Sequence, residues 1–139
     1  MKNLYDQIIA DVLVAAKKTS QNLRFWNRFT YLALSFANSA NLIFIMYLVR
    51  RLSKNKYVYD IDIIISSMPK LDGLIKYFIL FVSPFLLINY FFIFYKDRYK
   101  FLIERHESKN GKFFLSYFII SVSLPTLGMI VLKVISFLN

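Results

Sequence analysis

Residues 29–49 read FTYLALSFANSANLIFIMYLV, twenty-one residues without a charge, stopped by Arg28 before and by Arg50 and Arg51 after. At 1.5 Å per residue a helix of that length covers roughly 30 Å, the thickness of a bilayer's hydrocarbon core. Two further uncharged runs follow, 77–95 between Lys76 and Lys96 and 113–132 between Lys112 and Lys133. The chain therefore reads as an all-α integral membrane protein with three transmembrane helices, a single membrane domain over 1–139. Its expected parts are an N-terminal amphipathic interfacial helix (1–28), a first span (29–49), a basic, extended loop (50–68) and a second span (69–95). A cytoplasmic helical extension of that second span with a loop (96–112) and a third span (113–138) complete it.

Composition agrees with that reading. Hydrophobic residues make up 58% of the 139, with 15 Phe and 10 Tyr, more than a soluble domain of this size can bury. The net charge of +10 comes from 18 Lys and Arg that flank the apolar runs, so lipid phosphates and positive-inside retention account for it and no nucleic-acid partner is expected. There is no cysteine, which removes disulfides and thiolate metal sites. Asp11 interrupts the apolar residues 8–16 and no small-residue cleavage site follows, so Met1 is expected to start the mature protein.

The first span is the unusual one, because it carries polar residues near its middle. Ser35, Asn38 and Ser39 fall on one arc with Tyr31, and Asn41 lies at its edge. Ala33, Ala37 and Ala40 form a smooth strip on roughly the opposite side, where two helix backbones can approach closely. Polar side chains at membrane depth are costly unless they meet another helix or water, so the Asn/Ser arc should face inward. Either it hydrogen-bonds across a helix interface, or in an oligomer it lines a water-filled path.

On 1–28, Leu4, Tyr5, Ile8, Ile9, Val12, Leu13, Ala16, Leu23 and Trp26 share one side at 100° per residue. Such a helix can lie among headgroups or pack on its own bundle, with Trp26, Arg28, Arg50 and Arg51 as interfacial anchors. No Gly or Pro occurs before Pro69, and a bend is expected only near residues 24–28, where the environment changes.

After the basic run RRLSKNK (50–56), residues 57–65 alternate as YVYDIDIII, the pattern of one strand, with Asp60 and Asp62 on its polar side. Ser66 and Ser67 before Pro69 mark a helix start, and Pro84 predicts a kink in the second span. From Lys96 the helix is expected to continue outward, Lys100 pairing with Glu104 and Gly111 stopping it. The lone His106 reads as a half-buried helix position. In the third span Tyr117, Ser121, Pro125 and Gly128 share a face, making a bendable or closely packed helix.

Three spans place eleven basic residues on the side of the N-terminus and 96–112, against seven on the other. The expectation is an inside N-terminus and an outside C-terminus in a bacterial inner (plasma) membrane. No Asp or Glu falls within the three runs, and no nucleophile–base pair, metal cluster or glycine-rich phosphate loop is visible, so neither an enzyme nor a cofactor is expected. Aromatic-rich spans with basic connections are similar in layout to many small bacterial membrane proteins, to holins and to the membrane effectors of anti-phage systems, a likeness of architecture that carries no residue across. The expected function is a non-catalytic accessory or scaffold subunit whose partners are the bilayer and either itself or a larger membrane protein. The alternative is a homo-oligomeric channel or pore lined by the polar arc of the first span, with Pro84 and Pro125 as bending points.

Overall fold

The computed structural model describes residues 3–19, 22–54, 56 and 69–138. The strand reading of 57–65 and the serine caps before Pro69 lie outside the described residues. Those described fold as helices: α1 (Leu4–Lys18), α2 (Leu23–Leu52), α3 (Pro69–Tyr77), α4 (Ser83–Ile93), α5 (Arg98–Arg105) and α6 (Lys112–Leu138). Three helices are long and apolar enough to cross a membrane, over Leu23–Leu52, Lys70–Ile93 and Lys112–Ile135.

The N-terminal segment is two helices. Asn3 opens α1 by accepting the Tyr5 amide, and the Thr19 hydroxyl closes it on the carbonyls of Ala15 and Ala16. Asn22 then opens α2 by accepting the amides of Arg24 and Phe25 at 3.1 and 3.2 Å. The break thus lies ahead of residues 24–28, because hydroxyl and amide caps can end and restart a helix without Gly or Pro. Residues 8–14 are all buried, so α1 packs almost all round against α2, α5 and α6.

The long helices alternate in direction. Tyr31 meets Phe94 with ring centroids 5.5 Å apart, and Ser35 reaches Asn89, so α4 runs antiparallel to α2. Phe29 meets Phe114 at one end and Arg51 donates to the Leu132 carbonyl at 2.6 Å at the other, so α6 runs parallel to α2. Pro84 sits in the first turn of α4, directly after a π-helical turn, Phe78–Val82, that joins α3 to α4. The Ser83 amide there bonds back to the Phe78 carbonyl, five residues earlier. Widening the turn is how the helix passes a residue that has no donor.

The second span does not continue outward as one helix, which corrects the expected extension. α4 ends at Ile93, and after a 3-10 turn, Tyr95–Asp97, α5 sets off in a new direction. Lys96 and Asp97 both take left-handed backbone angles, φ 51° and 54°. That conformation costs roughly 1–2 kcal/mol per L-residue. Burial of Leu102 and Ile103 in the core and the two-pronged Asp6–Arg98 ion pair, at 2.9 and 3.0 Å, oppose the cost. Lys100 pairs at 2.9 Å with Asp97, its neighbour in the new turn, in place of Glu104. Gly111 likewise does not stop α5, which has already ended at Arg105; with φ +75° it shapes the turn into α6.

Candidate functional site: a side-chain relay and a carboxylate clamp

Five polar side chains from four helices form one directed chain of hydrogen bonds inside the bundle. The Tyr117 hydroxyl of α6 donates to Asn38 Oδ1 of α2 at 2.5 Å, and Asn38 Nδ2 donates to the Tyr5 hydroxyl of α1 at 2.8 Å. Tyr5 donates in turn to Asn89 Oδ1 of α4 at 2.5 Å, and Asn89 Nδ2 donates to Ser35 Oγ, back on α2, at 2.9 Å. Ser35 ends the chain on the carbonyls of Tyr31, at 2.8 Å, and Phe85, at 3.3 Å. Ser39, one turn on, donates to the Ser35 carbonyl at 2.6 Å.

Asn89 and Ser35 are 0% and 1% exposed, so each bond replaces water that cannot reach them. Interhelical bonds of this kind contribute about 0.6–2 kcal/mol each, and an acceptor left bare costs about 1–3 kcal/mol. Burial pushes the Tyr5 phenol up to about 12, with Tyr117 adding to the rise and the bonds with Asn38 and Asn89 opposing it. Tyr5 therefore stays protonated at physiological pH and can both donate to Asn89 and accept from Asn38.

The second construction is a carboxylate clamp. Asp11, 2% exposed on α1, faces the start of α6. Its Oδ1 accepts the Ser108 hydroxyl at 2.9 Å and the amides of Lys109 at 2.5 Å and Gly111 at 3.2 Å. Its Oδ2 accepts the amides of Phe113 and Phe114 at 2.8 and 3.3 Å. A distant carboxylate thus does the work of an N-cap, satisfying amides that the first turn leaves without partners and meeting the positive end of the helix dipole. Burial works against its charge, but the Ser108 hydroxyl and the amides of Lys109, Phe114 and Phe113 outweigh it and hold the carboxyl below its ordinary value.

Of the polar residues singled out on the first span, Ser35 and Asn38 belong to the relay and Ser39 bonds to the Ser35 carbonyl beside it, while Asn41 stands half-buried outside. Ala37 is fully buried, and Ala33 and Ala40 are half-buried. Ser121, Pro125 and Gly128 line the face of α6 that packs on α2. Ser121 and Pro125 are buried, and a Cβ on Gly128 would stand 2.6 Å from the Phe44 ring. Trp26 is half-buried against Phe29, and Arg28, Arg50 and Arg51 are exposed at the two ends of α2. His106 is half-buried, its Nδ1 3.3 Å from the Leu102 carbonyl and its buried Nε2 without a hydrogen-bond partner.

Sequence reasoning passed over Tyr5, Asp11 and Asn89. Asn89 was the most legible, being the one Asn inside an uncharged run of nineteen. Tyr5 was hidden because its ring belongs on the apolar face while its hydroxyl does not, and Asp11 because its partners lie about a hundred residues away. Among the described residues no group of three or more His, Asp or Glu comes together to hold a metal ion. No family model, no curated protein and no solved structure matches this chain, so its functional reading stands on this geometry.

Proposed function

We propose that this chain is a non-catalytic membrane subunit, an accessory or scaffold that works through helix–helix packing. The fate of the polar arc carries the reading: Ser35, Asn38 and Ser39 are spent on partners within the same chain. The outward faces, by contrast, are apolar, with Phe36, Ile45, Leu87, Phe91, Leu127 and Ile130 all more than half exposed. A bundle arranged in this way offers a second copy, or a larger membrane protein, apolar surface to pack against.

The pore reading needs the same side chains to turn toward a lumen shared between copies. Doing so would break the four side-chain bonds of the relay, at about 0.6–2 kcal/mol each. We place the protein in a bacterial plasma membrane with the N-terminus and the α5–α6 loop inside, on the strength of the basic residues gathered at that end.

The test is to extract the tagged chain from its native host in a mild detergent and to measure the mass and composition of what accompanies it. A stoichiometric second membrane protein supports the subunit reading. A homogeneous homo-oligomer whose bilayer conductance is abolished by Asn38→Leu overturns it in favour of the pore.

A further inference from the structure

An open cleft of about 670 Å³ lies where the end of α1, the first turns of α2 and the first turns of α6 meet. That volume is in the range of pockets that bury most of a small ligand. Its lining is sorted along the bundle. Lys18 and Thr19, at the end of α1, and Asn110, in the turn before α6, form a polar mouth. Deeper in, Phe29 continues along α2 and Phe114 and Phe118 along α6, and Trp26 packs edge-on to Phe29 with centroids 5.4 Å apart. Ala15, Ala16 and Gly111 leave the space between these walls open.

Charge follows the same axis. The helix ends that form the mouth carry Lys17, Lys18, Arg24, Arg28 and Lys112, all exposed. Residues 12–59 contain no carboxylate, Asp11 is occupied by the start of α6, and Glu107, three residues before Asn110, lines a separate hollow with Asp11 and His106. A cationic mouth above an aromatic slot is complementary to a molecule with an anionic head and a hydrocarbon tail. A second large cleft among the described residues, between Phe44 and Leu48 of α2 and Ile120 and Leu124 of α6, is lined almost wholly by apolar groups and has no such mouth.

We propose that this cleft is a binding site for one anionic phospholipid, with an acyl chain between the Trp26–Phe29 and Phe114–Phe118 walls and the phosphate against Lys18, Thr19 and Asn110. The site selects its lipid by headgroup charge. It places that lipid in the leaflet on the side of α1, where it ties the end of α1 to α6.

Trp26 is the only tryptophan, so its fluorescence reports on the cleft directly. The full chain is reconstituted in phosphatidylcholine vesicles, and bromine-labelled phosphatidylglycerol or bromine-labelled phosphatidylcholine is added at equal mole fractions. Phosphatidylglycerol is expected to quench Trp26 at mole fractions about fivefold lower, the factor that one basic contact at a membrane surface supplies. Lys18→Gln should bring the two curves together, and Ala15→Leu should reduce quenching by both lipids. Lys133→Gln, at the far end of α6, should leave the difference intact. Equal quenching by the two lipids in the unaltered protein would sink the proposal, and so would a preference that Lys18→Gln leaves unchanged or that Lys133→Gln removes equally. No quenching by either lipid would also overturn it, leaving the cleft to a protein segment.

Discussion

Asp11 and Phe113 are 102 residues apart in the chain, yet the carboxylate of the first accepts the backbone amide of the second at 2.8 Å. Through that bond and its neighbours the first helix holds the start of the last. Asp11→Ala strips four backbone amides of their acceptor, while the Ser108 hydroxyl keeps the Asp11 carbonyl at 2.8 Å, and it should destabilise the bundle by about 2–4 kcal/mol. Asp11→Asn keeps one carbonyl oxygen and should cost about half as much. Thermal unfolding in detergent measures both, and melting temperatures equal to that of the unaltered protein would remove the clamp from the account of stability.

The same carboxylate sets an acid limit. Its folded-state value lies below the ordinary carboxylate value of about 3.9, so the stabilisation it gives is fully present above pH ~4. It is lost as the pH falls through the lower folded-state value, because below pH ~4 the unfolded chain binds the proton more readily. Denaturation midpoints between pH 3 and 7 should therefore be level near neutrality and fall at the acid end. The acid fall should be shallower in Asp11→Asn.

Within the relay, effects should not add. Tyr117→Phe leaves Asn38 Oδ1 without its donor, and Tyr5→Phe leaves Asn89 Oδ1 without its donor and Asn38 Nδ2 without its acceptor. Each change should cost about 1–2 kcal/mol. The double variant should differ from the sum by about 0.5 kcal/mol or more, since both bonds share Asn38. Strict additivity in the double-mutant cycle would mean that the bonds act independently.

The contact between Gly128 and Phe44 sets how closely α6 approaches α2. In Gly128→Ala the new methyl would stand 2.6 Å from two ring atoms of Phe44. Either the ring or the helix must then move, at a cost of about 1–3 kcal/mol. Phe44→Leu in the same chain should restore most of that loss. A destabilised Gly128→Ala that the second change does not rescue would locate the strain elsewhere.

The orientation can be read by labelling. Single cysteines at Lys54 and Glu107, both exposed, should react from opposite faces of the membrane, with Glu107→Cys protected in intact cells. Ser108 is a poor choice for this purpose, because its hydroxyl is bound to Asp11. Labelling of Glu107→Cys from outside would invert the assignment.

The three long apolar helices were legible because each rests on a local signal, an uncharged run bounded by cations. The Tyr117, Ser121, Pro125 and Gly128 stripe was legible for the same reason, since a helix turns its own sequence into faces. What escaped depends on partners distant in sequence. Nothing near Asp11 reveals that amides a hundred residues on will surround it. Nothing at Lys96 and Asp97 announces a left-handed turn, because neither Gly nor Pro marks it and the opposing gains, Arg98 on Asp6 and Leu102 in the core, come from α1. The Lys100 and Glu104 spacing suited a continuous helix, and that helix was already broken upstream.

The clamp on α6 also orders events during synthesis. α1 emerges from the ribosome with its carboxylate ready, but the amides it must hold are encoded 98 to 103 residues later. At about 5–20 residues per second, that is a wait on the order of 5–20 s, during which two further helices long and apolar enough to cross a membrane begin to be made. In the membrane placement proposed above, only an N-terminal helix kept on its original side can still meet the start of α6 when it arrives. The first helix produced is thus the latch that closes last.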